Sequence, residues 1–208
     1  MASSNERARD GWSFPEIGEP FLVVRGERRD LFAVAGTHVH GSTTPTAVYS
    51  TTTLTRRALM RSRFPVHAMA FPPRLPLLAV GTGQYDGGYF FECELLLLHL
   101  KTGTVTSLIE HDFGRQVLGL EGLDEQSLRV FMAPPDDWQD EAAHTDGHIA
   151  VVHRTDWTAV PAASLNSQDL AGPRTSAPRA DTPEAVQRAA AAIRSILGSR
   201  PGARLEGL

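Results

Sequence analysis

Residues 66–109, "VHAMAFPPRLPLLAVGTGQYDGGYFFECELLLLHLKTGTVTSLI", decide the fold class. Three apolar runs, 66–71, 77–83 and 94–100, are broken by Pro72-Pro73, by Gly87-Gly88 and by Thr102-Gly103 before a fourth run at 104–109. Runs this short, punctuated by proline and glycine, read as strands joined by turns, because a helix needs a longer apolar stripe at a period of ~3.6 residues. Outward from this stretch the same grammar recurs at 21–26, 31–37, 46–53, 116–123, 127–134 and 147–154. Ten candidate strands without a convincing helix between residues 21 and 160 suggest a sandwich, a barrel or a propeller.

The strands repeat. "LFAVAGT" from Leu31 matches "LLAVGTG" from Leu77, an offset of 46; the strand around Val48 matches that around Leu96, an offset of 48; and Val66 matches Val117, an offset of 51. A third member runs "LRVFMAP", a long polar insert and "HIAVVHRTDW". These offsets fall near the ~40–50 residue period of propeller blades. Within 66–109, Phe71-Pro72-Pro73 closes a first strand, residues 77–82 form an apolar strand ending in small residues, 95–100 a third, and Thr102-Gly103 a turn. In those places the stretch resembles a blade of the WD40 β-propeller family. It departs from that family in lacking the Trp-Asp dipeptide, with His99-Leu100 at the end of the third strand, and His111 only loosely matches the family's Gly-His pair. The resemblance implies a mostly β protein, an incomplete WD40-like propeller of about two to three four-stranded blades, followed by a C-terminal α-helix. A β-sandwich is the alternative.

Propellers close with at least four blades, and an unclosed array leaves strand edges and apolar faces uncovered. The expectation that follows is an interaction or scaffold module that completes its sheets by self-association, as a homo-oligomer, or as a subunit of a larger complex.

The flanks differ in composition. Residues 1–20 are polar and read as an arm, 21–160 as the repeat domain, and 161–182, rich in Pro, Ser and Ala, as a linker. The helix at 183–198 can be capped by Thr182, begins with Pro183, and carries Glu184 in its first turn, where the helix dipole favours an acid. Val186, Ala189, Ala190, Ile193 and Leu197 share one face, which either packs on its own domain or docks on a partner through Val186, Ile193 and Leu197.

Bulk composition excludes several classes. A net charge of -4 over 208 residues argues against nucleic acid. No apolar run approaches the ~18–20 residues that span a membrane, and the N-terminus lacks the apolar core of a secretory signal. The single cysteine, Cys93, cannot form an intramolecular disulfide, so a reducing, cytoplasmic setting is expected. Arginine with one lysine, Lys101, suits a GC-rich bacterial genome.

Candidate chemistry concentrates in the connections between the second and third strand of each unit, since rigid scaffolds carry function on loops. They bring Tyr85, Asp86 and Glu92 in the second unit, and Asp136, Asp137, Trp138, Asp140, Glu141, His144, Asp146 and His148 in the third. Tyr85, Asp86 and the acidic run through Glu141 suit contact with an arginine-rich protein partner. His38 and His40, with His144-x-Asp146-x-His148, supply ligand types used by zinc, though not at a zinc spacing, and a solvated polar rim is the plainer reading. A small metal-dependent or hydrolytic enzyme on these loops, and a sensor stacking a small ligand on Tyr85, Tyr89 and Trp138, are the alternatives. Cys93, between Glu92 and Glu94, is a poor nucleophile, and there is no Gly-x-Ser-x-Gly elbow. Gly81-Thr82-Gly83 is followed by neither a helix nor Lys-Ser/Thr, so no phosphate loop and no cofactor are expected, and turn chemistry accounts for the glycines. Arg56, Arg57, Arg61 and Arg63 form a basic run, a solvated edge or a patch for an acidic partner.

Overall fold

The structure, a computed structural model, describes residues 14–26, 30–85, 91–109, 114–134, 145–176 and 182–198. It contains three four-stranded antiparallel sheets and one α-helix. The first sheet is β1 (Pro20–Arg25), β2 (Leu31–Gly36), β3 (Thr44–Ser50) and β4 (Arg56–Ser62), paired in that order. The second is β5 (Val66–Ala70), β6 (Leu77–Thr82), β9 (Leu95–His99) and β10 (Val105–Ser107). Its middle connection carries a small hairpin, β7 (Gln84–Tyr85) and β8 (Phe91–Glu92). The third is β11 (Val117–Gly122), β12 (Ser127–Met132), β13 (Asp146–His153) and β14 (Arg174–Ser176). Helix α1 spans Thr182–Gly198.

The repeat read from the sequence lies on equivalent strands. β2 and β6 hold the Leu31 and Leu77 segments, β3 and β9 those around Val48 and Leu96, and β5 and β11 begin at Val66 and Val117. Each sheet is complete within its own stretch of chain, so three full sheets replace the expected two to three. Among the described residues they form no closed barrel, and no apolar cluster joins the third sheet to the first.

Alternation explains the stacking, since residues i and i+2 of a strand share a face. Ala33, Ala35, Val48 and Met60 of the first sheet pack against Leu78, Val80, Leu96 and Leu98 of the second. The intervening residues of the second, Leu77, Ala79, Leu95 and Leu97, pack against Leu128, Val130, Met132 and Val152 of the third. The second sheet is therefore apolar on both faces, which is why β6 and β9 read as unbroken apolar runs. On the far side of the first sheet, Phe32, Val34, Ala47 and Tyr49 are covered by Phe14 and Ile17 and by Ile193, Ile196 and Leu197 of α1. The apolar stripe of the helix thus packs on its own domain, and the end of the arm is part of that packing.

Four strands went unread. β4 hides behind its arginines: Ala58, Met60 and Ser62 are buried while Arg56, Arg57 and Arg61 are exposed. β14 lies in the stretch read as a linker, where Leu165 and Leu170 also enter the core between the second and third sheets. The β7–β8 hairpin was read as loop. Gly81 and Gly83 are not turn glycines, because neither has a positive φ. A Cβ at Gly81 would lie 2.3 Å from Val117 Cγ1, and one at Gly83 2.6 Å from Gln116 Cβ, so both let the third sheet approach the second.

Candidate functional site

At one end of the stack the first strands of the three sheets, β1, β5 and β11, finish around an open cavity of about 950 Å³. Its wall comes from the end of β1, the β5–β6 turn, the β11–β12 turn and residues 155–157 after β13. Phe71, Leu75, Leu120 and Trp157 give it an apolar surface; Arg25, Arg74, Glu121, Asp124, Glu125 and Asp156 give it charge. Glu125 pairs with Arg74 at 3.1 Å, and Glu121 with Arg129 at 2.5 Å.

The β11–β12 turn brings a carboxylate, a hydroxyl and an imidazole together. Asp124 Oδ1 accepts the Gln126 N–H at 2.7 Å, and Oδ2 accepts the Ser127 hydroxyl at 2.9 Å. Ser127 Oγ also lies 3.0 Å from His153 Nδ1. The Gln126 amide, then the Ser127 hydroxyl, hold the Asp124 carboxyl below its ordinary range. A hydroxyl has one proton to donate, and here it is directed at the Asp124 carboxylate, so the Ser127 oxygen is left to accept from His153 Nδ1. In acyl transfer the imidazole stands between serine and carboxylate and takes the serine proton. Serine is in the middle here, so its oxygen is not activated, and the trio fixes the turn. Asp156 does similar work: Oδ1 accepts the Thr158 hydroxyl at 2.6 Å and its N–H at 2.8 Å, starting the 3₁₀ turn Trp157–Ala159. Those bonds hold the Asp156 carboxyl low.

The loops that the sequence singled out leave the opposite end of the sheets. His38 Nδ1 is 2.8 Å from Thr44 Oγ1, while His40 is exposed. Both sit in the loop after β2 and not on a strand. Burial, then the neighbouring His40, keep the His38 imidazole below its usual pKa. Asp146 Oδ2 accepts from Arg174 Nε at 2.7 Å, and His148 Nδ1 is 2.9 Å from Gly172 O, so both tie β13 to the β14 segment. Tyr85 lies on β7. Asp86, Tyr89, Asp136, Asp137, Trp138, Asp140, Glu141 and His144 lie outside the described residues. Of the helix candidates, Ile193 is buried, Leu197 packs beside it, and Val186 is half-buried. Among the described residues no three His, Cys, Asp or Glu side chains gather as a metal site, and no helix is long and apolar enough to cross a membrane.

Cys93 is fully buried, and burial above all pushes its thiol up to about 12, with Glu94 a smaller contribution. Glu94 is itself buried: its carboxylate accepts the Arg63 N–H at 2.8 Å and its own N–H donates to Thr82 Oγ1 at 2.7 Å, tying the first sheet to the second. Of the basic run, Arg56 pairs with Glu16 at 3.3 Å and Arg63 lies over the Phe64 ring. The cavity residues escaped the sequence reading because Pro72-Pro73 and the polar 123–126 turn carry only turn signals.

No protein family, curated protein or solved structure matches this chain. Geometry alone carries the functional reading.

Proposed function

We propose that this chain is a non-catalytic protein–protein interaction module: a divergent, incomplete WD40-like propeller of three blades that completes its stack with a second copy or within a larger complex. One observation supports it above all. The two ends of the stack are unequal. The outer face of the first sheet is buried under α1 and the arm, while that of the third exposes Val151 at 43% beside half-buried Phe131 and Ile149. An apolar sheet face next to water is the mark of a surface that meets another protein.

Among the described residues, several side chains that would serve an enzyme are buried or held in structural bonds. Cys93 is buried, the Ser127 hydroxyl donates to the Asp124 carboxylate, and Asp146 and His148 brace β13. The open cavity favours a second reading, a small-ligand sensor, since ligand pockets commonly measure ~300–1,000 Å³. Native mass measurement of the purified protein, with metal analysis, tests the first reading. A homo-oligomer or a stoichiometric complex is expected. A strictly monomeric, non-aggregating protein holding a stoichiometric metal that is lost on replacing His144 and His148 would overturn it in favour of a metalloenzyme.

A further inference from the structure

We propose that the outer face of the third sheet is the contact face for a second copy of this chain, packed about a two-fold axis. The inference rests on the interaction-module reading and names its partner. The stack has one covered end and one open end. A head-to-tail array would need the open face of one copy to meet the first-sheet face of the next, and α1 already occupies that face. Self-pairing of the open face needs no covered surface to be vacated, and such a contact is isologous and ends assembly at two.

The face has the chemistry for self-pairing. Across β12 and β13, Phe131 stands opposite Ile149 and Arg129 opposite Val151. On β11, Gly119 is the partner of Phe131 and Glu121 the partner of Arg129. A Cβ at Gly119 would fall 3.0 Å from the Phe131 ring, so the ring lies across the glycine. Glu121 and Arg129 form an ion pair on neighbouring strands, with side chains 54% and 37% exposed. Opposite charges side by side are self-complementary under a two-fold axis between them: each Arg129 meets the other copy's Glu121. Edge-to-edge addition is the poorer route, because Arg57 and Arg61 stand exposed along β4, and charged edge residues discourage strand pairing.

Size sets the strength. Strands spaced ~4.8 Å apart and rising ~3.3 Å per residue give a face of about 400 Å² per copy. That is about half of what a standard complex covers on each partner, so a weak, concentration-dependent dimer is expected.

Sedimentation equilibrium of the full chain, from low micromolar to near-millimolar concentration, tests the proposal. The wild type should pass from monomer to dimer and no further. Val151→Lys, at an exposed position, should weaken the dimer about a hundredfold by placing an ammonium opposite Arg129 within the contact on both copies. Its circular dichroism and melting curve should match the wild type. Arg129→Glu should weaken it about tenfold, and Glu121→Arg with Arg129→Glu should restore most of the loss by reversing both charges. A dimer indifferent to Val151→Lys, or a doubly reversed variant no tighter than the single one, would overturn the assigned face while leaving self-association standing. A wild type monomeric throughout the range would overturn the proposal, and if that monomer also forms no stoichiometric complex, the interaction-module reading falls with it.

Discussion

The close approach of β6 and β11 can be tested by a double-mutant cycle. The ideal Cβ of an alanine at position 81 would lie 2.3 Å from Val117 Cγ1, 2.9 Å from Val117 Cβ and 3.3 Å from Leu120 Cδ1. Gly81 and Val117 are both fully or almost fully buried, so neither sheet can give way into solvent. Because the φ of Gly81 is not positive, alanine carries no backbone strain there and gains ~0.4–1 kcal/mol by restricting the unfolded chain. Overpacking costs ~1–3 kcal/mol. Gly81→Ala should therefore destabilise the protein by up to about 2.6 kcal/mol, the steric cost less the entropic gain. Val117→Ala alone should cost ~1–3 kcal/mol, through lost burial and the cavity left behind. In that background the Cγ1 contact is gone and the 2.9 Å contact with Cβ remains, so Gly81→Ala should cost at least ~1 kcal/mol less than in the wild type. Urea unfolding followed by far-ultraviolet circular dichroism, on all four proteins, measures the coupling. Additivity to within ~0.5 kcal/mol, or a Gly81→Ala protein more stable than the wild type, would refute the packing argument.

Three further outcomes are expected. Cys93, buried and with its pKa pushed up to about 12, should not react with a thiol reagent at neutral pH until urea unfolds the chain, so native labelling would contradict its placement. Ile193→Ala, at a buried contact between α1 and the first sheet, should cost ~2–5 kcal/mol in the same urea assay, and a loss under ~1 kcal/mol would mean that α1 does not dock there. The carboxyls of Glu16, Asp124 and Asp156 and the imidazole of His38 all have folded pKa values below their ordinary ones. Lowered groups contribute stability in full above the unfolded pKa, ~6.5 for histidine and ~4 for carboxyls, and lose it as the pH falls. The melting temperature should therefore dip slightly below about pH 6.5 and drop below about pH 4.5, and Asp124→Asn should flatten the acid limb. A melting temperature that rises on acidification would contradict the sign.

Most of the fold was legible in the sequence because the second sheet is buried on both faces. "LLAVGT" and "LLLLH" have no polar residue before their last positions, Thr82 and His99, and their equivalents in the first and third sheets could be found by offset. β4 was missed because its exposed positions are arginines, and β14 because three polar residues held by cross-strand bonds have no apolar signal. The glycines at 81 and 83 were read by local chemistry, whereas a close approach between sheets is a tertiary fact with no local signature. The cavity was illegible for a similar reason: its residues come from four separated segments that meet only when the sheets stack. Histidines and acids stood out by residue type, but His148 and Asp146 brace a strand, a role that type alone does not separate from metal binding.

The packing of α1 on the first sheet also sets a timetable for synthesis. β4 ends at Ser62 and α1 begins at Thr182, so about 120 residues are translated after the first sheet is complete. At ~5–20 residues per second, a ribosome needs roughly 6–24 s for that interval. During it Phe32, Val34 and Tyr49 lack the helical part of their cover. The nascent chain therefore carries a sticky sheet face until nearly its final helix has emerged, and chains interrupted before residue 182 would be the ones that chaperones hold and proteases clear.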